Sequence, residues 1–532
     1  MRLDAWQSDK MDRRDFLVRA GALGLALPAA AAMTACGGSE DASPPPPTSL
    51  KIRLTADITS LDPAFFGNTS VDEPVMASLF EGLVTFRPSA SGFEVVNQLA
   101  EAFEPSPDGL AYEFKLRRGV EFHGGYGEVT AEDVQFSYER LAGLTEPKVK
   151  SPYGGDWAAL KEVRVQDKYS GTIVLKEPFA ALLRSTLPVT SGYVVSKKAV
   201  EERGDKFGLK PIGTGPYEFV KRTPNEKIEL KRFKNYGTDY VQPQWRDITF
   251  FPIPQDNAAD IALETGEVDF SQISLVSVER FAKGGDFGTV SRKSLAYDWI
   301  GMNLLSPKLK DVNVRQAIRY AIDVPAMIAA AFEGNYEQAS TIIPPEMGLG
   351  YWKDAPIYER DVEKAKGFLQ EAGAEALDLS FTFTEEPGTN AVAEIAQANL
   401  AEIGINLELK KLEAGAFYEL GEQLGERELF YVSYETQPDP SWSMVWFTCD
   451  QFDEWNWMYW CNEEFDKLQS TALKESDESR RNNAYIEMQK LWDEAVHTVW
   501  VAWPTKYFAF KKGLRPALTA HGRVLPQAFR ST

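Results

Sequence analysis

Short segments in which apolar and polar residues alternate recur along the chain from residue 50 onward. Residues 50–54 and 112–116 alternate in this way, which is typical of a β-strand that buries one face. Amphipathic helical stretches lie between such segments. One is predicted to begin at Thr130, because Thr130 and Asp133 have the spacing of a capping box before a series of apolar positions.

Three further helices are predicted from the same periodicity, over residues 314–331, 363–372 and 391–403. Gly373 and Gly404 follow the last two in the position of a helix stop. Because strands and helices interleave throughout, the pattern indicates an α/β or α+β protein with more than one sheet, and we predict the α/β class.

The segment before residue 50 has a different character. Arg13 and Arg14 precede an apolar run over residues 20–32, which is shorter than the roughly twenty residues that a membrane-spanning helix needs. Two arginines before a short apolar run are typical of a twin-arginine export signal, and the small residues before Cys36 are typical of a lipoprotein cleavage box. We therefore expect residues 1–35 to be a removed signal.

Lipid on Cys36 would then hold the chain at the membrane, and residues 36–49, with their proline run, would form a semi-rigid tether. An ordinary cleaved signal, in which Cys36 has no special role, is the alternative. The start of translation is open between Met1 and Met11.

The composition mainly bounds the class of protein and excludes one kind of partner. The 532 residues suffice for several domains, and a hydrophobic content of 44% with 12% aromatic residues is that of a globular protein with large cores. The net charge of −21 argues against a nucleic-acid partner, because such binding depends on Lys and Arg.

Cys449 and Cys461 are close together in an aromatic-rich segment. An export signal implies an oxidising compartment, where neighbouring thiols usually form a disulfide, so we predict a bridge between them. The alternative is a pair of metal ligands, which would need histidines nearby. The chain has three, His123, His497 and His521.

Enzymatic interpretations find little support. The chain has no Gly-x-Ser-x-Gly elbow and no glycine-rich loop for phosphate or dinucleotide binding. Glu385 and Glu386 are adjacent, and neighbours on a strand point to opposite faces, which argues against a glycosidase pair. We predict no catalytic residue, no cofactor and no metal site.

A series of motifs in fixed order carries a resemblance to a known family. They are Leu-Asp-Pro at residues 61–63, Leu-Phe-Glu-Gly-Leu at 79–83, Tyr-Glu-Phe-Lys-Leu-Arg-Arg-Gly-Val-Glu-Phe-His at 112–123, Thr-Ala-Glu-Asp-Val-Gln-Phe-Ser-Tyr at 130–138, Pro-Ile-Gly-Thr-Gly-Pro-Tyr at 211–217, Val-Arg-Gln-Ala-Ile at 314–318 with Ala-Ile-Asp at 321–323, and Trp-Cys-Asn-Glu-Glu-Phe-Asp at 460–466. Together they resemble the family 5 solute-binding proteins of ABC importers, the peptide- and nickel-binding type.

The resemblance implies a two-lobed periplasmic-binding-protein-like fold, of type II in its large cluster C form, with an extra small domain. It places a discontinuous first lobe at residues 50–82, 204–296 and 500–532, a small inserted domain at residues 83–203, and a second lobe at residues 297–499. A ligand would lie between the two lobes.

The same resemblance raises a question about the ligand. Peptide-binding members carry an acidic residue three positions before an Asp-Pro pair, and here Thr436 precedes Asp439 while Glu435 is its neighbour. Where dipeptide binders use an arginine, this chain has Glu385 and Glu386, which would repel a ligand carboxylate. A neutral or cationic ligand is therefore expected, and a free dipeptide is disfavoured.

The expected ligand contacts are Phe66, Asn68, Trp299, Asn303, Glu385, Glu386, Glu435, Thr436, Asp439 and Trp442. For tryptophans such as Trp442, Trp455, Trp457 and Trp460, core packing is the alternative.

The resemblance implies a function in transport. The chain would be an extracytoplasmic, lipid-anchored monomer that captures a small solute and hands it to an ABC permease and ATPase complex. The ligand is left open among a peptide, an amine, a sugar, an opine and a chelated metal, although a bare transition-metal site is disfavoured with so few histidines. The rival hypothesis is an exported enzyme or chaperone-like lipoprotein on the same scaffold.

Overall fold

The computed structural model describes residues 48–67, 69–88, 92–374, 376–386, 388–419 and 421–532. Arg13, Arg14 and Cys36 of the predicted leader lie outside these ranges, and so does Asn68. Within them, no helix is both long and apolar enough to cross a membrane.

A seven-stranded sheet is built from segments far apart in sequence. Its middle strand, Ser49–Leu54, pairs in parallel with both of its neighbours, and the other pairings are antiparallel. The one-sided burial predicted at residues 50–54 is confirmed in part, because Leu50, Ile52 and Leu54 are buried but Arg53 is buried as well. In hydrogen-bonded order the strands are Phe287–Lys293, Thr505–Lys511, Phe270–Ile273, Ser49–Leu54, Asp247–Pro252, Lys227–Arg232 and Tyr217–Thr223.

A six-stranded mixed sheet is the second large element. All the residues of its strand Ala296–Met302 are buried, because antiparallel strands flank it and side chains cover both faces. In hydrogen-bonded order the strands are Glu337–Gln338, Thr498–Trp503, Ala296–Met302, Leu429–Glu435, Leu377–Thr384 and Ile405–Leu412. The helices whose apolar residues share a core with this sheet are Val312–Ala321, Val324–Phe332, Val362–Glu371 and Thr389–Ala401.

A smaller antiparallel sheet has four strands, Ala100–Pro105, Ala111–Leu116, Ser170–Leu175 and Leu160–Asp167 in hydrogen-bonded order. The helix Ala131–Leu141 packs against it and starts with the predicted capping box, since Asp133 accepts hydrogen bonds from the Thr130 N–H at 3.0 Å and hydroxyl at 2.8 Å. The remaining strands and α-helices of the described chain are Val84–Phe86, Val95–Asn97, Leu514–Arg515, Arg530–Ser531, Thr69–Leu79, Lys197–Arg203, Asp256–Thr265, Leu275–Lys283, Ala414–Phe417, Pro440–Met444, Glu463–Lys474 and Glu478–Ala495.

The prediction of one helix over residues 314–331 is wrong, because the stretch forms two helices. The first helix ends at Ala321, and Asp323 caps the second by accepting a hydrogen bond from the Ala326 N–H. Pro325 follows the cap and has no N–H with which to continue a helical ladder. The predicted helix stops are confirmed at Gly373 and Gly404, whose φ angles of 64° and 89° are left-handed.

The chain passes between the two large sheets at two neighbouring points. It leaves the seven-stranded sheet after Lys293, and it returns at Pro504. Ser294 joins the two crossings, because its N–H and hydroxyl donate to the Pro504 carbonyl at 3.0 and 2.7 Å. The boundary predicted at residue 499 therefore falls inside the strand Thr498–Trp503, and the rest of the domain division stays a prediction.

The predicted disulfide between Cys449 and Cys461 is confirmed, with a Cα–Cα distance of 4.7 Å. The cluster of buried rings in this part of the chain includes Trp457 and Trp460, so these two tryptophans are core residues.

Candidate functional site

A small cavity lies where the two large sheets approach each other. Its volume is about 40 Å³, which is room for roughly three water molecules at about 10–15 Å³ each. Small-molecule sites usually measure about 300–1,000 Å³, so the two sides must separate to admit a solute. The polar lining consists of Glu73, Gln272, Glu435, Thr436, Gln437, Lys506, His521 and Arg523.

One buried ion pair lies at this cavity. Glu73, in the helix Thr69–Leu79, places Oε2 2.5 Å from Nε of Arg523. Arg523 also donates to Oε1 of Gln437 at 2.9 Å, so it links the helix to the segment that follows Glu435. Burial raises the pKa of Glu73 to about 7 although Arg523 opposes the shift. The carboxylate is thus close to its titration point at neutral pH.

A second ion pair connects the two large sheets directly. Lys506, in the strand Thr505–Lys511, donates to Oε1 of Glu435 at 2.5 Å, and Glu435 ends the strand Leu429–Glu435. Both side chains are only partly buried. The cavity therefore brings together two acidic and two basic groups, and each acid has one base beside it.

His521 also borders the cavity. Its Nδ1 lies 3.2 Å from Oγ1 of Thr519, and its ring centre is 5.2 Å from that of Phe93. Burial, with smaller effects of Arg523 and Lys506, holds the pKa of His521 well below its usual range, so the imidazole is neutral. The described part of the chain contains no group of three or more His, Cys, Asp or Glu side chains placed to bind a metal ion.

Two of the predicted ligand contacts reach this cavity, Glu435 and Thr436. Thr436 is buried, and its N–H donates to the carbonyl of Leu295 at 3.3 Å. The structure thus brings Glu435, which the sequence offered as a substitute for Thr436, to the same wall.

Three other predicted contacts are buried away from the cavity. Both carboxylate oxygens of Asp439 accept hydrogen bonds from Arg481, at 2.7 and 2.6 Å. The amide of Asn303 donates to two backbone carbonyls, and Trp299 packs edge-on against Tyr434 at 4.8 Å. As ligand contacts, Asp439, Asn303 and Trp299 stay predictions.

The remaining predicted contacts are dispersed. Glu385 is exposed and pairs with Lys411 at 2.8 Å, while Glu386 is exposed beside it. Trp442 is half-buried next to Trp446, and the ring of Phe66 stacks on that of Tyr153 at 3.8 Å. None of them lines the cavity.

Glu73, Lys506 and Arg523 also line the cavity and were not predicted from the sequence. Each lies in a different segment, and no local motif marks any of them. The pairing of Thr505–Lys511 with Phe270–Ile273 and Phe287–Lys293 brings the end of the chain to the cavity. The polar tripeptide His521-Gly522-Arg523 contains a left-handed glycine, with a φ of 85°. It is the sequence feature that comes closest to marking this site.

Three comparisons place the chain among known proteins. The model of the family described as "Bacterial extracellular solute-binding proteins, family 5 Middle" matches residues 94–464. The glutathione-binding protein GsiB of Salmonella choleraesuis is 27% identical over 457 residues, which is 84% of this chain and 87% of that protein. GsiB of Pectobacterium atrosepticum is 27% identical over 459 residues, covering 84% and 86%.

Solved structures share the architecture. The periplasmic binding protein DppA of Helicobacter pylori, in complex with the peptide STSA, has a TM-score of 0.78 and 25% identity, covering 91% of this chain and 98% of its own. MoaA of Agrobacterium tumefaciens R10, in complex with mannopinic acid, has a TM-score of 0.76 and 25% identity, covering 91% and 100%. These likenesses confirm the predicted two-lobed α/β fold.

Proposed function

The chain belongs to family 5 of the bacterial extracellular solute-binding proteins, and we propose that its ligand is a small, amine-bearing, peptide-like solute. The protein is the extracytoplasmic solute-binding component of an ABC importer, works with a membrane permease, and is not an enzyme.

The observation that carries the ligand proposal is the pairing of charges at the cavity between the sheets. Glu73 and Glu435 are acceptors for an amine, and Arg523 and Lys506 are donors for a carboxylate or a peptide carbonyl. When the lobes separate, each ion pair can exchange a partner with a solute that carries both kinds of group. The names of the relatives, for glutathione and for a bound peptide, support a solute of this kind.

A thermal-shift screen tests the ligand proposal. Glutathione, neutral and basic dipeptides, simple amines, opines and sugars would be added separately to the purified protein. We expect amine-bearing peptide-like compounds to raise the melting temperature, because a ligand that binds only the folded state stabilises it. Stabilisation by sugars with none by any amine-bearing compound would contradict the proposal.

Two variants locate the site. Lys506→Met and Arg523→Met should weaken binding of the best compound at least about tenfold, the effect of one lost charged hydrogen bond. Lys512→Met is the matched control, because Lys512 is an exposed lysine near the end of the same strand.

We also propose that the chain is exported by the twin-arginine route and lipidated at Cys36, and that it is a monomer whose lobe boundaries, apart from the one at residue 499, are those given above. The support is the order of Arg13, Arg14, the short apolar run and Cys36 in the sequence. Mass spectrometry of the mature N-terminus would detect acyl chains, and Cys36→Ala should release the protein from membranes. A mature chain that begins elsewhere, without lipid, would contradict the anchor.

A further inference from the structure

A second buried carboxylate lies on the six-stranded sheet, and nothing above assigns it a role. Asp298 is 3% exposed and is paired in register with Ser433 on the neighbouring strand. The Tyr431 hydroxyl donates to its Oδ2 at 3.1 Å. Its Oδ1 is buried and has no hydrogen-bond partner among the described residues, and no basic side chain of the described chain forms an ion pair with it.

Aromatic rings and one more acid surround Asp298. Tyr418 lies above Ser433 and donates to its carbonyl at 3.3 Å. Tyr336 stacks on Phe332 at 4.4 Å, and the charge of Asp298 contributes to raising the pKa of the Tyr336 phenol, as it does for Tyr418 and Tyr431. These hydroxyls therefore stay protonated and give Asp298 no positive charge.

Glu386 stands at the edge of this group of tyrosines. It lies in the loop before the helix Thr389–Ala401, and this loop packs against the end of the helix Val324–Phe332, since Gly388 approaches the carbonyl of Ala331 and the ring of Phe332. Burial raises the pKa of Asp298 to about 7, and the negative charge of Glu386 adds to the shift. The region is thus acidic, and among the described residues no cation faces Asp298.

The position of Asp298 connects it to the cavity between the sheets. Ser433 and Glu435 lie two residues apart on one strand, so their side chains share a face and are about 7 Å apart along it. The phenol of Tyr507, from the seven-stranded sheet, donates to the Asn335 carbonyl at 3.4 Å, beside Tyr336. One extended solute can therefore span the distance from Lys506 and Glu435 to Asp298.

We propose that Asp298 receives a cationic group of the solute, an ammonium or guanidinium, which enters between Tyr336 and Tyr418 with Glu386 at the entrance. This inference rests on the proposed function, because it concerns a second contact of the same ligand. A carboxylate buried without a base is costly unless a positive charge pairs with it. Aromatic faces around the carboxylate attract the same kind of group.

The experiment compares solutes that differ only in one positive charge. Lysine and norleucine form one pair, and the dipeptides Ala-Lys and Ala-norleucine form another, each measured by titration calorimetry. We expect the lysine compounds to bind at least about tenfold more tightly than their neutral partners. Asp298→Asn should remove this preference without weakening the neutral compounds, and Glu386→Gln should reduce it a few-fold. Glu385→Gln is the matched control, since Glu385 is the adjacent exposed glutamate and already has Lys411 as a partner.

A proton count distinguishes a ligand contact from a structural role. Near pH 7 a cation that binds Asp298 stabilises its charged form, so binding should release a proton and the measured enthalpy should differ between phosphate and Tris buffers. Asp298→Asn should reduce the difference for each lysine compound to that of its neutral partner, because proton release at Glu73 is common to both compounds of a pair. Because Asp298 is buried, circular dichroism confirms that the variant folds, and Glu386→Gln gives an independent result from an exposed position.

Equal affinities within each pair, or an equal loss for charged and neutral compounds in Asp298→Asn, would overturn the assignment of Asp298. Tight binding of glutathione or a neutral dipeptide without any preference for lysine would leave the proposed solute-binding function standing while the cation site falls. Binding of sugars alone would remove both.

Discussion

Asp298 and Asp439 are both buried in the part of the chain built on the six-stranded sheet, and they differ in what surrounds them. Arg481 grips both oxygens of Asp439, and the Ser441 hydroxyl donates to it as well. Asp298 has only hydroxyl groups as donors, and one of its oxygens has none among the described residues. Burial alone therefore does not separate a structural carboxylate from one available to a ligand, whereas the presence of an internal cation does.

The strongest test of this contrast is Asp439→Asn. The change leaves the Arg481 guanidinium buried without a counter-charge, and breaking a buried pair in this way usually costs about 3–5 kcal/mol. Urea unfolding of the wild type and of Asp439→Asn would measure the loss in the free energy of unfolding. The neighbouring Arg480 is exposed and pairs with Glu475 at the surface, so Arg480→Met serves as the control with little change. A loss at Arg480 as large as that at Asp439 would show that burial is not the reason.

Asp298→Asn should instead become more stable relative to the wild type as the pH rises. The folded-state pKa of Asp298, about 7, lies above the value of about 3.9 for an unfolded chain. The folded state therefore holds the extra proton between these values, and the wild type loses stability from this group as the pH rises from about 4 to 7, by up to about 1.4 kcal/mol per pH unit.

Unfolding at pH 5 and pH 7 would reveal this difference. The variant should gain stability relative to the wild type as the pH rises, because it lacks the titrating carboxyl group. A constant difference between wild type and Asp298→Asn across this range would mean that Asp298 is ionised in the folded protein throughout.

The ion pair of Lys506 and Glu435 is intermediate in burial, because both side chains are partly exposed. It joins the two large sheets. Lys506→Met should lower the free energy of unfolding by at most about 1 kcal/mol, the usual range for such pairs, while solute affinity falls far more. Parallel unfolding and calorimetry would separate the two effects. A lower free energy of unfolding with unchanged solute affinity would indicate that Lys506 only supports the fold.

The smallest effect is expected at Glu385. It is exposed and pairs with Lys411, so Glu385→Gln should leave both the unfolding transition and solute binding unchanged. A clear loss of solute affinity would show that the exposed loop contacts the ligand, as the sequence predicts.

Local features were predictable because they depend on neighbours in sequence. Thr130 with Asp133 marked a helix start, Gly373 and Gly404 marked helix ends, and the spacing of Cys449 and Cys461 in an exported chain indicated their bridge. The break just before Pro325 was also visible in the sequence, but the apolar periodicity on both sides of it concealed the change of helix.

The site itself was predictable only in part. Glu435, which the sequence predicts as a ligand contact, lies at the cavity. The carboxylate of Asp439 was visible in the sequence without its partner Arg481, which lies in a helix 42 residues later. Asp298 could not be assigned to a face, because every residue of the strand Ala296–Met302 is buried and alternation carries no information there. Lys506 and Arg523 reach the cavity through long-range pairing alone.

The hydrogen-bonded pair of crossings at Ser294 and Pro504 has a mechanical consequence. Two chain crossings joined by hydrogen bonds can bend, but they limit how far the two sheets can move apart. The motion that remains open to the two halves is rotation about an axis through these crossings. Lys506, two residues from Pro504, lies close to this axis, where a given angle of rotation produces the smallest displacement. Under the proposed function, Lys506 would therefore contact a solute early in closure, and residues farther from the axis would close around it last.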